Sequence, residues 1–578
     1  MLGFSAAFTL LLLSGAASAA FGPTIERCPA DFKLVRRGQT ISASESQYIK
    51  ERREKAIPDA FKAYSQNVKR TGIELPKYVE EILESTQFPT VGISTSGGGD
   101  RAAIFGAGVL NALDGRNSSS VKKGTGGLLQ AATHLAGLSG GSWLLTSLVQ
   151  ANFPTIQHLI FGDGHKQDFG GWLTSFSVWT VSTDPAEQAI FVNEVLQEMA
   201  VKAKHFPVSV GDAWGRALAR HFTNGTTVDT FFSNTSHGAG ILFSDFVNLP
   251  TIASHEQPFP IIVLDIVSNH INGTIFPGMN GIPLNSPMFE VNIFEMGCYD
   301  DVLAAHTPTK HLGTTNESLC VTGFDQAMFI SGTSSNLWNE LNRTVTNFSL
   351  LVNETYPQSP ALRLDTSNYP NPFHGIAPDT FSDSGETILS MCDGGEDGQV
   401  TPLQPMLVPD RKIDVIIAID AVDDGGGFAH GASLIATQQR MQIFPGGLAT
   451  FPAVPTTLEG FANLTTQPTF FGCTPSQEQS APGPMLVYIA NGAPPRDGSP
   501  PLTNTSTGQF IYTEPELQGM LAQTFVVATQ GAEVDGAPED PEWAACLACA
   551  AVDRARARQG LPRNGVCVTC FTRYCWEA

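Results

Sequence analysis

Basic residues are scarce in this sequence of 578 amino acids, which has 33 lysines and arginines against 55 aspartates and glutamates. The formal net charge of −22 at pH 7 repels polyanions and opposes adsorption to anionic surfaces. The composition therefore excludes nucleic acid as a partner.

Apolar runs long enough to cross a bilayer, roughly 20 residues, are missing after the N-terminus. Residues 1–19 contain the brief run Leu10-Leu11-Leu12-Leu13 and end in Ala17-Ser18-Ala19, a small-x-small signal-peptidase pattern, although the usual preceding basic residues are absent. We interpret residues 1–19 as a signal peptide and expect a secreted protein without a transmembrane segment. No hydrophobic tail of the kind that a lipid-anchor signal requires ends the sequence, so we expect no anchor.

Export is also favoured by ten N-x-S/T sequons, the acceptor pattern for N-linked glycosylation. A single sequon arises easily by chance, whereas ten indicate passage through a glycosylating pathway. The acceptors are Asn117, Asn224, Asn234, Asn272, Asn316, Asn342, Asn347, Asn353, Asn463 and Asn504.

Low-complexity linkers and internal repeats are also missing, and hydrophobic residues make up 42% of the chain, enough for a large core. Three glycine-rich motifs are spread from residue 97 to residue 398. We therefore expect one catalytic domain over residues 20–578, with insertions. It includes a cysteine-rich tail, residues 540–578.

Cysteine is uncommon, with 10 residues, and five of them lie in the tail: Cys546, Cys549, Cys567, Cys570 and Cys575. The first four follow a zinc-ribbon spacing. We favour disulfides instead, because export implies an oxidising compartment and a fifth cysteine exceeds a tetrahedral zinc site. If every cysteine pairs, the odd number forces at least one bridge from tail to body. A bridge at Cys392 would stiffen the turn that begins at Asp393.

Three motifs indicate acyl-transfer chemistry. Residues 137–141, Gly-Leu-Ser-Gly-Gly, match G-x-S-x-G, a sharp strand-to-helix turn that exposes a nucleophilic serine, here Ser139. Residues 96–101, Ser-Gly-Gly-Gly-Asp-Arg, offer backbone N–H groups beside the cation Arg101. Residues 393–398, Asp-Gly-Gly-Glu-Asp-Gly, place the carboxylate of Asp393 on a third glycine-rich turn. A nucleophile, an anion cradle and a candidate base are thus present.

Short apolar strands alternate with helical stretches. Residues 90–94, 260–266 and 413–419 predict strands, the last two so apolar that both faces should be buried. Residues 102–113 and 143–149 predict the helices that follow the glycine turn and Ser139. This alternation predicts a layered α/β fold.

A serine hydroxyl needs a base to take its proton, and two bases fit the sequence. In a Ser-Asp-His triad the histidine would be His430, the only one after Asp393, although its glycine-rich surroundings are typical of a surface loop. In a dyad Asp393 is itself the base, and partial burial would raise its affinity for a proton. His134 is interpreted as a packing residue.

Two further stretches resemble cofactor-binding motifs, but each match is weak. Gly97-x-Gly99-x-x-Ala102 satisfies a loose dinucleotide fingerprint, but nicotinamide cofactors are scarce outside the cell. The stretch from Asp393 lacks the oxygen donors of a calcium loop, with Gly395 and Gln404 at the third and twelfth positions.

The chain resembles the fungal lysophospholipases, also called phospholipases B, whose catalytic domain is similar to that of the cytosolic phospholipases A. Ser96 to Ala102, Leu135 to Trp143 and the block from Asp393 match three signature blocks. The similarity continues through Asp325, residues 332–339, the strand ending at Asp420, residues 468–473 and the tail from Cys570.

This resemblance implies a patatin-like α/β/α sandwich with a central mixed sheet and a Ser139–Asp393 dyad. It further implies Gly97 and Gly98 as oxyanion donors, Arg101 as a phosphate ligand, and no metal or other cofactor. The substrate would be a lysophospholipid at a micelle or membrane surface. Whether diacyl phospholipids are also substrates stays an open question at this point. Asp100 and Val400 depart from the family pattern, where we expect an aromatic residue and an asparagine. A general esterase with the His430 triad and an inactive lipid-binding glycoprotein are the alternatives.

Overall fold

The computed structural model describes residues 22–162, 170–233, 237–279, 281–339, 347–360, 362–444, 446–474, 483–496, 498–531 and 540–577. The signal peptide predicted at residues 1–19 lies outside these described residues. Within these ranges, none of the helices combines the length and apolarity that a bilayer crossing requires.

The strands are β1 (Thr24–Arg27), β2 (Arg36–Arg37), β3 (Val91–Thr95), β4 (His134–Gly137), β5 (Phe259–Ile266), β6 (Phe289–Asn292), β7 (Glu295–Cys298), β8 (Ala305–Pro308), β9 (Leu319–Thr322), β10 (Ser367–Pro370), β11 (Ile388–Asp393), β12 (Val415–Asp420), β13 (Thr469–Phe471) and β14 (Met485–Ala490).

The helices are α1 (Ala43–Lys55), α2 (Ile57–Lys69), α3 (Lys77–Leu83), α4 (Gly99–Leu113), α5 (Ser118–Lys123), α6 (Leu128–Ala131), α7 (Gly140–Gln150), α8 (Ile156–Phe161), α9 (Pro185–Ala203), α10 (Val210–Phe222), α11 (Pro250–Ala253), α12 (Ala327–Thr333), α13 (Asn347–Thr355), α14 (Ala432–Ile443), α15 (Glu514–Thr529), α16 (Trp543–Arg558) and α17 (Val566–Tyr574).

A mixed sheet of 12 strands forms the centre, in the order β13-β14-β12-β3-β4-β5-β6-β7-β8-β2, with β11 paired to β5 and β10 to β11. The strands β14, β12, β3, β4 and β5 run parallel to one another. Every residue of β5 and of β12 is buried, as their apolar sequences predict. The layered α/β expectation is confirmed.

Helices cover the sheet in two groups. The helices α4, α7, α10, α12 and α15 are linked by mutual contacts, and α4 also contacts β12. The helices α1, α2, α3, α16 and α17 form a second group, in which α16 contacts β12 and β14. Both groups belong to one continuous hydrophobic core.

Disulfides fix the tail as the odd number of tail cysteines predicts. Cys546–Cys570 and Cys549–Cys567 join α16 to α17, and Cys473–Cys575 ties the end of the chain to the segment after β13. The zinc-ribbon alternative is wrong, because all four of its cysteines are bonded to one another. Cys28–Cys320 joins β1 to β9. Cys392 and Cys298 are free thiols, so no bridge stiffens the Asp393 turn.

Candidate active site

The G-x-S-x-G motif forms the sharp turn that its sequence predicts. The strand β4 ends at Gly137, α7 begins at Gly140, and Ser139 lies between them with φ 48° and ψ −127°. A positive φ is rare outside glycine, so this turn holds the serine in a strained conformation. The glycines allow close packing, because a Cβ on Gly140 would lie 2.0 Å from the Gly99 carbonyl oxygen.

The sheet register brings Ser139 and Asp393 together. Gly137 at the end of β4 lies opposite Ile262 of β5, and Asp393 at the end of β11 lies opposite Leu264. Leu264 also pairs with β6, so β4 and β11 occupy the same edge of β5 and meet at their carboxyl ends. Two residues of strand separate these ends, a distance of about 7 Å.

A segment that follows α12 binds both ends. The Ser139 N–H donates to the Ser334 carbonyl at 2.9 Å and to the Ser334 hydroxyl at 3.0 Å. The Gly394 N–H donates to the same carbonyl at 3.3 Å, and the Asp393 N–H donates to the Asn336 carbonyl at 3.1 Å. In the sequence, residues 332–339 stand out only through the family resemblance. Their role in positioning the Ser139 and Asp393 turns is seen only in the structure.

The Asp393 carboxylate is held by its own turn. Its Oδ1 accepts a hydrogen bond of 2.9 Å from the Gly395 N–H. Asp393 and Ser139 are both buried, at 3% and 6% exposure. Partial removal from water is what a carboxylate base needs in order to hold a proton during the reaction.

The N–H groups of the glycine loop after β3 differ in their hydrogen bonding. The Gly97 N–H already donates to the Val400 carbonyl at 2.9 Å, so it is not free for an oxyanion. For Gly98 and Gly99, which open α4, the structure records no acceptor of their N–H groups among the residues that it describes. The first N–H groups of a helix favour an anion, so the geometry at Gly98 and Gly99 suits an oxyanion, whereas the predicted donor Gly97 would have to give up its bond to Val400.

Gly97 contributes through its lack of a side chain. A Cβ at this position would lie 2.8 Å from the Ser139 Cβ and 3.1 Å from Val400 Cγ1. Val400, which replaces the expected asparagine, packs with Leu138, Val263 and Met288 beside the serine turn. Only glycine lets the loop approach the nucleophile this closely.

Arg101 has partners other than the expected phosphate. Its guanidinium is fully buried and donates to the Ala421 carbonyl at 2.9 Å, the Thr505 carbonyl at 2.5 Å and the Thr507 hydroxyl at 3.1 Å. In this conformation Arg101 fastens segment 503–512 to the start of α4. A phosphate contact would require these bonds to break.

Buried acids lie behind the Asp393 turn. Asp265 of β5 accepts the Asp397 N–H at 3.1 Å, and Asp397 accepts two bonds from Gln399. Burial, together with the negative charge of Asp397, raises the pKa of Asp265 well above its usual value. This shift disfavours a further negative charge beneath Asp393. An aspartate inside the otherwise apolar β5 is the sequence signal for this cluster.

His430 lies in the loop between β12 and α14, where its backbone N–H donates to the Asp424 carboxylate at 2.7 Å. Within the described part of the chain, the structure records no hydrogen bond from its ring to Ser139 or Asp393. His134 is fully buried in β4, as predicted for a packing residue.

The described residues contain no group of three or more His, Cys, Asp or Glu side chains arranged to hold a metal ion.

Comparisons with known proteins show the family of the chain. Residues 91–578 match the family model of the lysophospholipase catalytic domain. A lysophospholipase of Penicillium chrysogenum is 33% identical over 96% of this chain and 90% of its own length. Lysophospholipase 1 of Aspergillus fumigatus is 32% identical over 96% of this chain and 87% of its own length. Lysophospholipase 1 of Saccharomyces cerevisiae is 32% identical over 96% of this chain and 83% of its own length.

A solved structure of human GIVD cytosolic phospholipase A2 has the same fold. It superposes with a TM-score of 0.58 at 16% identity and covers 91% of this chain and 69% of that one. The family match spans most of the sequence and all three glycine-rich motifs. The chain therefore belongs to the lysophospholipase catalytic domain family and is a carboxylic ester hydrolase.

Proposed function

We propose that the chain hydrolyses the fatty-acyl ester of lysophospholipids with Ser139 as nucleophile and Asp393 as general base. The meeting of the β4 and β11 ends on one edge of β5, bound by the same segment at Ser334 and Asn336, carries this proposal. Diacyl phospholipids form a second substrate class for the same acyl-transfer chemistry.

The reaction has two acyl-transfer steps. The Ser139 hydroxyl oxygen attacks the ester carbonyl and passes its proton to Asp393, while the Gly98 and Gly99 N–H groups bind the oxyanion. The ester bond then breaks, Asp393 protonates the departing glycerol oxygen, and the acyl chain remains on Ser139. Water, deprotonated by Asp393, then attacks the acyl carbonyl. The bond to the Ser139 oxygen breaks, Asp393 returns the proton to that oxygen, and the fatty acid is released.

The start of α4 supports the oxyanion in two ways. Its N–H groups are donors without an intrahelical partner, and the helix dipole places partial positive charge at the same point. Loss of one donor of this kind typically costs about 100- to 1000-fold in rate. Backbone donors need no rearrangement as the charge develops, because packing against Ser139 and Gly140 already fixes the loop.

The substrate is expected at a micelle or membrane surface, since a long acyl chain leaves water only there. The formal net charge of −22 favours neutral or zwitterionic interfaces over anionic ones. Lysophosphatidylcholine, a zwitterionic lipid with a single acyl chain, is therefore the appropriate first substrate.

Secretion belongs to the same proposal. The signal-like residues 1–19 and the ten sequons support it, and the sequon residues Asn272, Asn316 and Asn463 are exposed. Four disulfides also suit an oxidising compartment. Expression in a secreting host should release a glycosylated chain that begins at Ala20. Retention of residues 1–19 in the exported protein would contradict the signal-peptide interpretation.

Activity assays on the purified full chain test the mechanism. Fatty-acid release is measured from lysophosphatidylcholine, diacyl phosphatidylcholine and a phosphate-free ester, without added calcium. Ser139→Ala and Asp393→Asn should lose all measurable activity, whereas His430→Ala should keep most of it. A fluorophosphonate should label Ser139 covalently in the unsubstituted chain.

Other outcomes favour the alternatives. Loss of activity in His430→Ala would establish the triad of a general esterase. Absence of hydrolysis and labelling in a folded protein would leave an inactive lipid-binding glycoprotein.

A further inference from the structure

Asp100 is a buried acid that the mechanism above does not use. It is the second residue of α4 and only 2% exposed. Its Oδ2 has no hydrogen-bond partner among the described residues. The neighbouring Arg101 directs its guanidinium to Ala421, Thr505 and Thr507 instead. A buried carboxyl without a cation is costly to ionise.

The backbone that carries Asp100 touches the nucleophile turn on both sides of Ser139. A Cβ on Gly97 would lie 2.8 Å from the Ser139 Cβ, and a Cβ on Gly140 would lie 2.0 Å from the Gly99 oxygen. Asp100 directly follows Gly98 and Gly99, whose N–H groups are the oxyanion donors in the proposed function. A charge on its side chain therefore acts on the place where negative charge develops.

Charged and titratable groups surround this position unevenly. Segment 503–512 and α15 contribute Tyr512 and Glu516. Asp420 at the end of β12, and Asp423 and Asp424 in the connection that follows, face Arg101. The helix α7 packs against α4 and contains no charged residue. Arg101 is the one cation in this set and already faces three acids, so the partial positive charge at the start of α4 is what remains to favour ionisation of Asp100, against the cost of its burial.

We propose that Asp100 sets the alkaline limit of the reaction: the enzyme is active with Asp100 protonated, and ionisation of Asp100 opposes oxyanion formation at Gly98 and Gly99. This proposal rests on the proposed function. It assigns a chemical consequence to the acid that stands where relatives of this type are expected to have an aromatic residue.

The electrostatics agree with this geometry. Burial raises the pKa of Asp100 to about 7, because the interior disfavours the ionised form. The unfolded chain ionises this carboxyl at a lower pH, about 4. Stability contributed by the protonated acid is therefore complete below pH 4 and is lost as the pH rises towards 7. Above pH 7 the folded state contains a buried negative charge.

The test compares the pH profiles of the unsubstituted chain, Asp100→Asn and Asp100→Leu on lysophosphatidylcholine. Between pH 6 and pH 8 the unsubstituted chain should lose about tenfold in kcat, less than the loss of a full oxyanion donor. Both variants should keep a constant kcat over this interval, since neither side chain ionises. Leucine keeps the approximate size of the acid, so it covers the case in which the asparagine amide disturbs folding.

Thermal unfolding provides a measurement that does not depend on hydrolysis. At pH 8 both variants should have a higher Tm than the unsubstituted chain, and at pH 4 this advantage should disappear. Absence of hydrolysis at every pH would overturn the proposed function, and a Tm difference without pH dependence would overturn the assignment of the ionisation to Asp100.

Asp420→Asn is the matched control, because Asp420 is also buried near Arg101 and its pKa is also raised to about 7 by burial. This variant should retain the alkaline fall in kcat. If Asp420→Asn removes that fall, or if Asp100→Asn and Asp100→Leu retain it, the proposal is wrong.

Discussion

Ser139 occupies a conformation that an ordinary turn would give to glycine. Its φ of 48° and ψ of −127° cost on the order of 1–3 kcal/mol for a residue with a side chain. The strain persists because hydrogen bonds fix the turn on both sides: the Ser139 N–H donates to the Ser334 carbonyl and hydroxyl, and the Ser139 carbonyl accepts from the Ser142 and Trp143 N–H groups. The structure thus stores energy where the reaction requires a serine.

Ser139→Gly should therefore increase the free energy of unfolding by about 1 kcal/mol while it abolishes hydrolysis. Ser139→Ala should abolish hydrolysis equally without this gain, because alanine retains the Cβ that causes the strain. Denaturant unfolding of both variants measures the difference. Equal stabilities for the two would indicate that the turn is relaxed around Ser139.

Arg101 shows that a sequence motif can single out a residue without revealing its contacts within the fold. The sequence places it in the glycine block, but its partners, Thr505 and Thr507, lie about four hundred residues away in the sequence. Only the folded chain brings them together. The same limit applies to Gly97, whose N–H is bound by Val400.

Arg101→Ala should remove the donor from one buried acceptor, the Ala421 carbonyl, and from two partly buried ones, and destabilise the protein by about 1–3 kcal/mol. Arg101→Lys offers a single ammonium group in place of the branched guanidinium, so it should restore only part of the lost stability. Because the guanidinium serves the scaffold, hydrolysis of lysophosphatidylcholine and of a neutral ester should fall by similar factors. A selective loss on the phospholipid would instead support the phosphate role that the sequence suggests.

Among the elements, those that position the site were well predicted. The runs at 260–266 and 413–419 became β5 and β12 because a strand buried on both faces needs continuous apolar sequence. The helix expected from residue 102 begins three residues earlier, at Gly99. Three glycines looked like a loop, yet Gly99 already belongs to the first helical turn, and this is why the Gly98 and Gly99 N–H groups suit the proposed oxyanion site.

The antiparallel return of β11 onto β5 was beyond sequence reasoning. Its register places Asp393 beside the β4 end, and it depends on the segment after α12, which carries no catalytic side chain. Ser334 is central, because its hydroxyl donates to the Val263 carbonyl at 2.7 Å and accepts the Ser139 N–H.

Ser334→Ala should lower kcat by about five- to tenfold, the equivalent of one buried hydrogen bond of about 1 kcal/mol, and should leave KM nearly unchanged. The Ser334 carbonyl remains and keeps the turn in place. Ser331→Ala is the matched control, since its hydroxyl bonds Thr146 at 2.7 Å within the same helix pair. A similar loss of kcat in both variants would point to general loosening of α12.

At the scale of the whole molecule, the three disulfides of the tail are of two kinds: two lie within the tail and one joins the tail to the body. Cys546–Cys570 and Cys549–Cys567 span the same pair of helices, with sequence separations of 24 and 18 residues. If one of these two disulfides is removed, the other therefore still restricts most of the same segment in the unfolded chain. Cys473–Cys575 spans 102 residues and is the one described bridge from tail to body.

Replacing Cys473 and Cys575 by alanine should therefore cost about 5 kcal/mol in the free energy of unfolding, as expected for a loop of this length. Replacing Cys546 and Cys570 should cost less than about 2 kcal/mol, because Cys549–Cys567 still closes nearly the same loop. Both pairs are replaced by alanine, so the loss of buried sulfur is common to them and the difference reports the cross-link. Equal losses would mean that packing of α16 against β12 and β14, rather than the covalent tie, holds the tail to the sheet.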